Sequence, residues 1–213
     1  GGALSRFSYC EFMYDGTLYH SVQQCVVAHS LTYRIDQLTT AKDVDAIEPV
    51  ADAFVQALLQ DGKIITCANG SANILAQYFC TTLLNRLEHD RPALPAINLG
   101  ADATTYSAIC RDNRFNDTFS RQVRALGKPG DLLFVIVDDG HKANLIQAIQ
   151  AAHDREMQVV VLSAREKSDI TSLLHPEDHE IALSNLPPSD AAPLLLLIVN
   201  MLCRLVDAKL FGG

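Results

Sequence analysis

Apolar residues change their spacing along this chain, and the change divides it. From Lys63 onward, short runs of consecutive apolar residues alternate with longer stretches in which apolar positions recur every three or four residues. The runs Lys63–Cys67, Ala96–Leu99, Leu132–Val137, Gln158–Ser163 and His179–Leu183 read as strands. Leu132–Val137, closed by Asp138-Asp139-Gly140, is the clearest of them. Between the runs, the spacing predicts helices over Asn73–Leu87, over Asp102–Gly127 with a break around Asp112-Asn113-Arg114, and over Lys142–Asp154. A short helix is expected near Ser168–Leu174 and a long one over Ala191–Phe211, with Pro193 tolerated in its first turn. Strands alternating with helices of this length imply right-handed crossovers and a mostly parallel sheet covered on both faces.

The first sixty residues differ. Their pattern predicts two helical stretches, Thr17–Thr40 and Val44–Gln60, and no strand. The chain therefore divides into an N-terminal extension at 1–16, whose Gly1-Gly2 is read as a cloning scar, a helical hairpin at 17–60, and an α/β domain at 61–213. The last helix is apolar on nearly every side from Leu194 to Val206. A helix on a monomer's surface should show a polar stripe, so this one is expected to be buried in the domain or against another subunit, with obligate self-association the favoured use.

Composition narrows the classes. Hydrophobic residues make up 48 % and charged residues 20 %, which excludes an intrinsically disordered chain. Seventeen Lys+Arg against twenty-five Asp+Glu leave a net charge of −8, without the clustered cations that would grip nucleic acid. The longest apolar run, Leu194–Val199, is far short of the roughly 20 residues a membrane span needs. Six cysteines without a CxxC spacing read as reduced thiols of a cytoplasmic protein.

Generic motifs add little. Neither GxGxxG nor a P-loop occurs. His175 and His179 stand four apart, but Pro176 breaks the helix that would align them as metal ligands, so a solvated loop is favoured. Ser71 lacks a GxSxG elbow and reads as part of a strand-to-helix turn rather than a nucleophile. Asp138 and Asp139 sit at a strand's carboxyl end, where parallel sheets bind ligands, although Asp139 equally suits a helix N-cap.

The stretches Cys67-Ala68-Asn69-Gly70-Ser71, Ala76–Phe79, Asn85-Arg86 and Arg91-Pro92-Ala93-Leu94-Pro95-Ala96-Ile97 resemble the SIS (sugar isomerase) domain family. Phe115-Asn116-Asp117, Arg121–Gly127, Gly130-Asp131, Gly140, Ala143-Asn144, Leu205–Asp207 and Leu210-Phe211 extend the likeness over about 43–211. The resemblance is to the subgroup holding sedoheptulose-7-phosphate (phosphoheptose) isomerase and the DnaA initiator-associating protein. It implies a five-stranded parallel sheet flanked by helices, assembled as a homotetramer. It also implies an acid–base Glu and His, joined by a second His and a Gln around zinc. These four positions fall here on Thr82, Asn200, Tyr78 and Ala192. None of them titrates near neutral pH or suits zinc, so no catalytic residue, metal or cofactor is expected.

The family's Ser-rich phosphate turn falls on Val137-Asp138-Asp139-Gly140-His141-Lys142, and its Gly-Asn-Gly turn on Ala68-Asn69-Gly70, where a positive φ at Ala68 would strain the backbone. Ligand contacts are accordingly expected at Asn69, Gly70, Ser71, Asp138, Asp139 and Lys142. Taken together, the resemblance favours a catalytically inactive homo-oligomer of the initiator-associating branch, contacting the replication initiator DnaA through Leu210 and Phe211. The alternatives are a phosphoheptose isomerase and a sensor that binds a sugar derivative without turnover.

Overall fold

A strand such as Leu132–Val137, apolar at every position, can only be central if both its faces are covered, and this is how the chain folds. The computed structural model of the chain describes residues 12–14, 17–19, 44–138, 142–164, 169–183 and 188–212. Two compact units result, 1–41 and 42–213. In the first, β1 (Phe12–Tyr14) and β2 (Thr17–Tyr19) pair antiparallel, with Tyr14 opposite Thr17. No strand was expected there. The sequence Asp15-Gly16 is a hairpin-turn signal that the helical spacing read from Thr17 overlooked. The rest of the expected helix over Thr17–Thr40 lies outside the described residues.

The second unit begins with α1 (Val44–Leu59), the second stretch expected to be helical. It continues through β3 (Ile64–Ala68), α2 (Ala72–Leu84), β4 (Ala96–Asn98), α3 (Ala103–Arg111), a single 3₁₀ turn at Phe115–Asp117, and α4 (Ser120–Leu126). Then come β5 (Leu132–Val137), α5 (Ala143–Asp154), β6 (Gln158–Ser163), a 3₁₀ turn at Thr171–Leu173, β7 (His179–Ala182) and α6 (Pro188–Phe211). The sheet order is β4-β3-β5-β6-β7, and every pairing is parallel. The alternation of strand and helix spacing predicted a mostly parallel sheet covered on both faces, the SIS resemblance implied five strands in it, and both are present.

Alternation within the strands splits the core in two. Ile65 and Cys67 of β3 and Leu133, Val135 and Val137 of β5 face α5 together with Phe119 and Val123. Phe134 points the other way, into a ring cluster with Phe54 of α1 and Phe79 of α2, with centroids 5.0–5.2 Å apart. Such edge and tilted contacts add to the area these rings bury.

One expected feature of α6 is corrected. The helix starts at Pro188, so Pro193 lies inside it rather than in its first turn. Its missing N–H removes one intrahelical bond. The helix is also not uniformly buried. Leu194, Leu195, Ile198, Val199, Leu202, Cys203 and Val206 are at most 1 % exposed, but Leu196 and Leu197 are each 40 % exposed. Among the described residues, no helix is long and apolar enough to cross a membrane.

Candidate functional site

Strand order places the site. The connection from β3 runs through α2 to β4 on one side, whereas β5 pairs on the other side of β3 and leads through α5 to β6. The chain thus turns in opposite directions after β3 and β5, which opens a crevice beyond their carboxyl ends. The amino termini of α2 and α5 flank this crevice, and their N–H groups and dipoles favour an anion.

At the end of β3, the residue in the left-handed region is Gly70 (φ 54°), not Ala68, so the strain expected at Ala68 is absent. Ala68 is simply the last residue of the strand. Ser71 precedes α2 but does not cap it with its side chain. Its Oγ instead donates to Asp138 Oδ2 at the end of β5, 3.1 Å away. Asn69 and Asn144 exchange amide bonds of 2.9 and 2.7 Å, joining the end of β3 to the first turn of α5. Asn144 is fully buried and also donates to Thr118 Oγ1 at 3.3 Å. Its structural part was legible only as a fragment of a motif. Lys142, half-buried, stands just before α5, while Asp139 lies outside the described residues. Asn69, Ser71, Asp138 and Lys142 therefore gather at the two strand ends, with Gly70 shaping the turn.

A second polar contact lies farther along α2. Tyr78 is two turns from Ser71, about 10 Å by helix rise. Its hydroxyl donates to Asn200 Oδ1 of α6 at 3.0 Å. Thr82, one turn farther, is only 5 % exposed, and its backbone carbonyl accepts from Arg91 at 2.8 Å. Ala192 is half-buried near the start of α6. Tyr78 and Asn200 thus meet, whereas Thr82 is core. The phenol, amide, hydroxyl and methyl groups of these four do not make a zinc donor set, which would need imidazole, thiolate or carboxylate. At the chain's end, Leu210 is half-buried and Phe211 is 42 % exposed, its ring 5.9 Å from the Arg91 guanidinium.

One cluster away from the crevice was missed from sequence. His175 meets His153 and Asp178 at the amino-terminal end of the sheet. His179, its expected companion, lies half-buried in β7 and is not part of the cluster.

A parallel five-stranded sheet with helix amino termini at its switch point defines an open α/β domain of the kind that binds ligands beyond its strand ends. The SIS domain family model matches residues 28–164, and the chain belongs to the SIS domain family. It is 43 % identical over 181 residues to the phosphoheptose isomerase of Chromohalobacter salexigens, covering 84 % of this chain and 92 % of that one. The solved phosphoheptose isomerase of Francisella tularensis is 33 % identical, with a TM-score of 0.80 over 88 % of this chain and 97 % of its own. That of Neisseria gonorrhoeae is 31 % identical, with a TM-score of 0.79 over 88 % and 100 %. These likenesses overturn the expected assignment to the initiator-associating branch. Relatives about 40 % identical across most of the chain carry the isomerase name.

Proposed function

We propose that this chain is an isomerase of the phosphoheptose class, acting on a heptose phosphate in the crevice beyond β3 and β5. The observation that carries this is the 43 % identity to a phosphoheptose isomerase over 92 % of that protein's length. The crevice chemistry is compatible with it. The phosphate would lie against the amino termini of α2 and α5, with the Ser71 hydroxyl and the Lys142 ammonium as its side-chain partners. The sugar would run along α2 toward the Tyr78–Asn200 pair, where a phenol O–H and an amide can hydrogen-bond to its carbonyl end. Conversion of aldose to ketose takes a proton from C2 and returns one to C1, so a titrating group must reach those carbons.

The reading includes self-association as a homotetramer. Ile74 is 70 % exposed one turn before Tyr78, and Leu196 and Leu197 lie one turn before Asn200. An assembly covering these residues would enclose the Tyr78–Asn200 pair and could bring a partner's side chains to it.

A second reading, binding without turnover, is favoured by one specific observation: Tyr78, Thr82, Ala192 and Asn200 provide no group that titrates near neutral pH. Assay of purified protein with sedoheptulose 7-phosphate, alongside calorimetric titration with the same compound, separates the readings. Turnover in the ordinary enzyme range of roughly 1 to 10³ per second supports the isomerase. Binding without turnover selects the second reading. Absence of both overturns the crevice as a phosphosugar site.

A further inference from the structure

The end of the sheet opposite the crevice carries a donor set that the isomerase reading does not use. His153 lies in the last turn of α5, and His175 and Asp178 lie in the loop entering β7. Nitrogens of both imidazoles and a carboxylate oxygen of Asp178 all lie within 4.8 Å of one another. His153 Nε2 is 2.8 Å from Asp178 Oδ2, and the two imidazole rings stack with centroids 3.7 Å apart. Beside them runs a groove of about 560 Å³, lined in part by Gln56, Gln60, Asp131 and Glu156.

We propose that His153, His175 and Asp178 form a binding site for a zinc-class divalent transition metal. Two imidazoles and one carboxylate are the donors such an ion prefers, and this mixture disfavours magnesium and calcium, which take oxygen ligands. Spacing agrees. Ligands about 2.0–2.1 Å from a tetrahedral ion lie about 3.3 Å apart, and about 2.9 Å apart at a right angle. The His153–Asp178 separation of 2.8 Å lies just below that range, so this pair must open by about half an ångström to admit a tetrahedral ion.

The carboxylate is held in place. Asp178 has a side chain 1 % exposed, its Oδ1 accepts from the Val159 N–H at 2.8 Å, and its Oδ2 accepts from the His175 N–H at 2.8 Å. Such outer bonds orient a ligand before the ion arrives. The His175 side chain is 51 % exposed, so its ring is free to leave the stack and turn a nitrogen toward the ion. That rotation is required, because lone pairs of parallel stacked rings cannot converge. Charge favours the site as well. It combines a buried carboxylate with the carboxyl end of α5, where the helix dipole attracts cations. Glu177 Oε1, 3.8 Å from His175 Nδ1, adds a second negative group. Three protein ligands leave a four-coordinate ion one position for water or a small ligand.

Without the ion, the same residues make a plain structural pair, in which His153 bonds Asp178 and ties α5 to the β7 loop. Cobalt(II) and zinc titrations of the full chain decide between the two. The metal site predicts one tight zinc site per chain that the variants below remove. Cobalt at that site should give the strong visible bands of a four-coordinate ion. Affinity there should fall about tenfold or more in each of His153→Ala and His175→Ala, while His179→Ala leaves it unchanged. Asp178→Asn, which keeps the side chain's shape, provides the same test if an alanine variant fails to fold by circular dichroism. Wild type without such a site, or variants that retain its affinity and stoichiometry, would overturn the proposal. A loss of isomerase activity with zinc binding intact would bear only on the crevice.

Discussion

Arg91 shows how one side chain can hold two elements. Its side chain is 4 % exposed, and its guanidinium donates to the backbone oxygens of Leu83 at 2.6 Å and Thr82 at 2.8 Å and to Asp207 Oδ1 at 3.0 Å. The carbonyls at the end of α2 have no partners within the helix, and Arg91 supplies them while pairing with α6. Arg91→Met should therefore cost about 3 kcal/mol, since it strands the Thr82 carbonyl and the Asp207 carboxylate, whereas the Leu83 carbonyl keeps its bond from the Leu94 N–H at 2.9 Å. Arg91→Lys should restore less than half of this, because an ammonium lacks the planar fork. Urea unfolding midpoints would show the difference, and full rescue by Lys would reduce the role to simple charge pairing. Gly70 makes a smaller contribution of another kind. A Cβ there would meet nothing within 4 Å, so only its φ of 54° opposes substitution. Gly70→Ala should cost about 1–2 kcal/mol, and Gly70→Asn less. Arg91 was visible in the sequence as part of a motif but its partners were not, since Asp207 lies 116 positions away. Gly70 was visible, but the strain was expected at Ala68.

At the scale of the element, the two turns bounding the crevice oppose each other electrostatically. Helix termini and Lys142 attract an anion, whereas Asp138 repels it. A carboxylate about 4 Å from a phosphate oxygen costs about 1 kcal/mol per charge pair in water and about 4 kcal/mol at an effective dielectric near 20. Asp138 is half-buried, so the cost lies between these limits. Asp138→Ser should tighten heptose phosphate binding about tenfold in calorimetry and leave the fold intact, because the lost Ser71 bond is at the surface. Equal affinity in both proteins would mean that Asp138 points its charge away from the phosphate. The strands around this turn were legible because their apolar runs have no alternative to a doubly covered sheet. The cluster of His153, His175 and Asp178 was not legible. His153 lies 25 positions from Asp178, and only the parallel pairing of β6 with β7 brings α5's last turn beside that loop.

For the molecule as a whole, the buried thiols set a limit on alkaline stability. Burial pushes the Cys67 thiol far up, raises Cys80 to about 11 and raises Cys203 to about 12, each from an ordinary value of 9.0. The Thr66 hydroxyl partly offsets the rise at Cys80, and at Cys203 the neighbouring Asp207 adds to it. A thiol whose folded pKa lies above its unfolded one contributes its full stability below the unfolded value. That contribution is lost as pH rises, because the unfolded chain releases the proton first. Stability should accordingly fall above about pH 9, by up to about 1.4 kcal/mol per thiol per pH unit, until each folded pKa is reached. Tyr106, raised chiefly by burial, and Lys209, raised by its bonds to Asp52 and Glu48, act with the same sign, so wild type alone does not isolate the thiols. The variant Cys80→Ala, Cys203→Ala does. Its unfolding free energy, measured in urea at about pH 8 and about pH 10, should decline less than that of wild type, the gap approaching two protons' worth of slope. Parallel declines would show that these thiols ionise as readily in the folded core as in water. That result would conflict with the packing of Cys80 and Cys203, which are at most 1 % exposed where α2 and α6 meet.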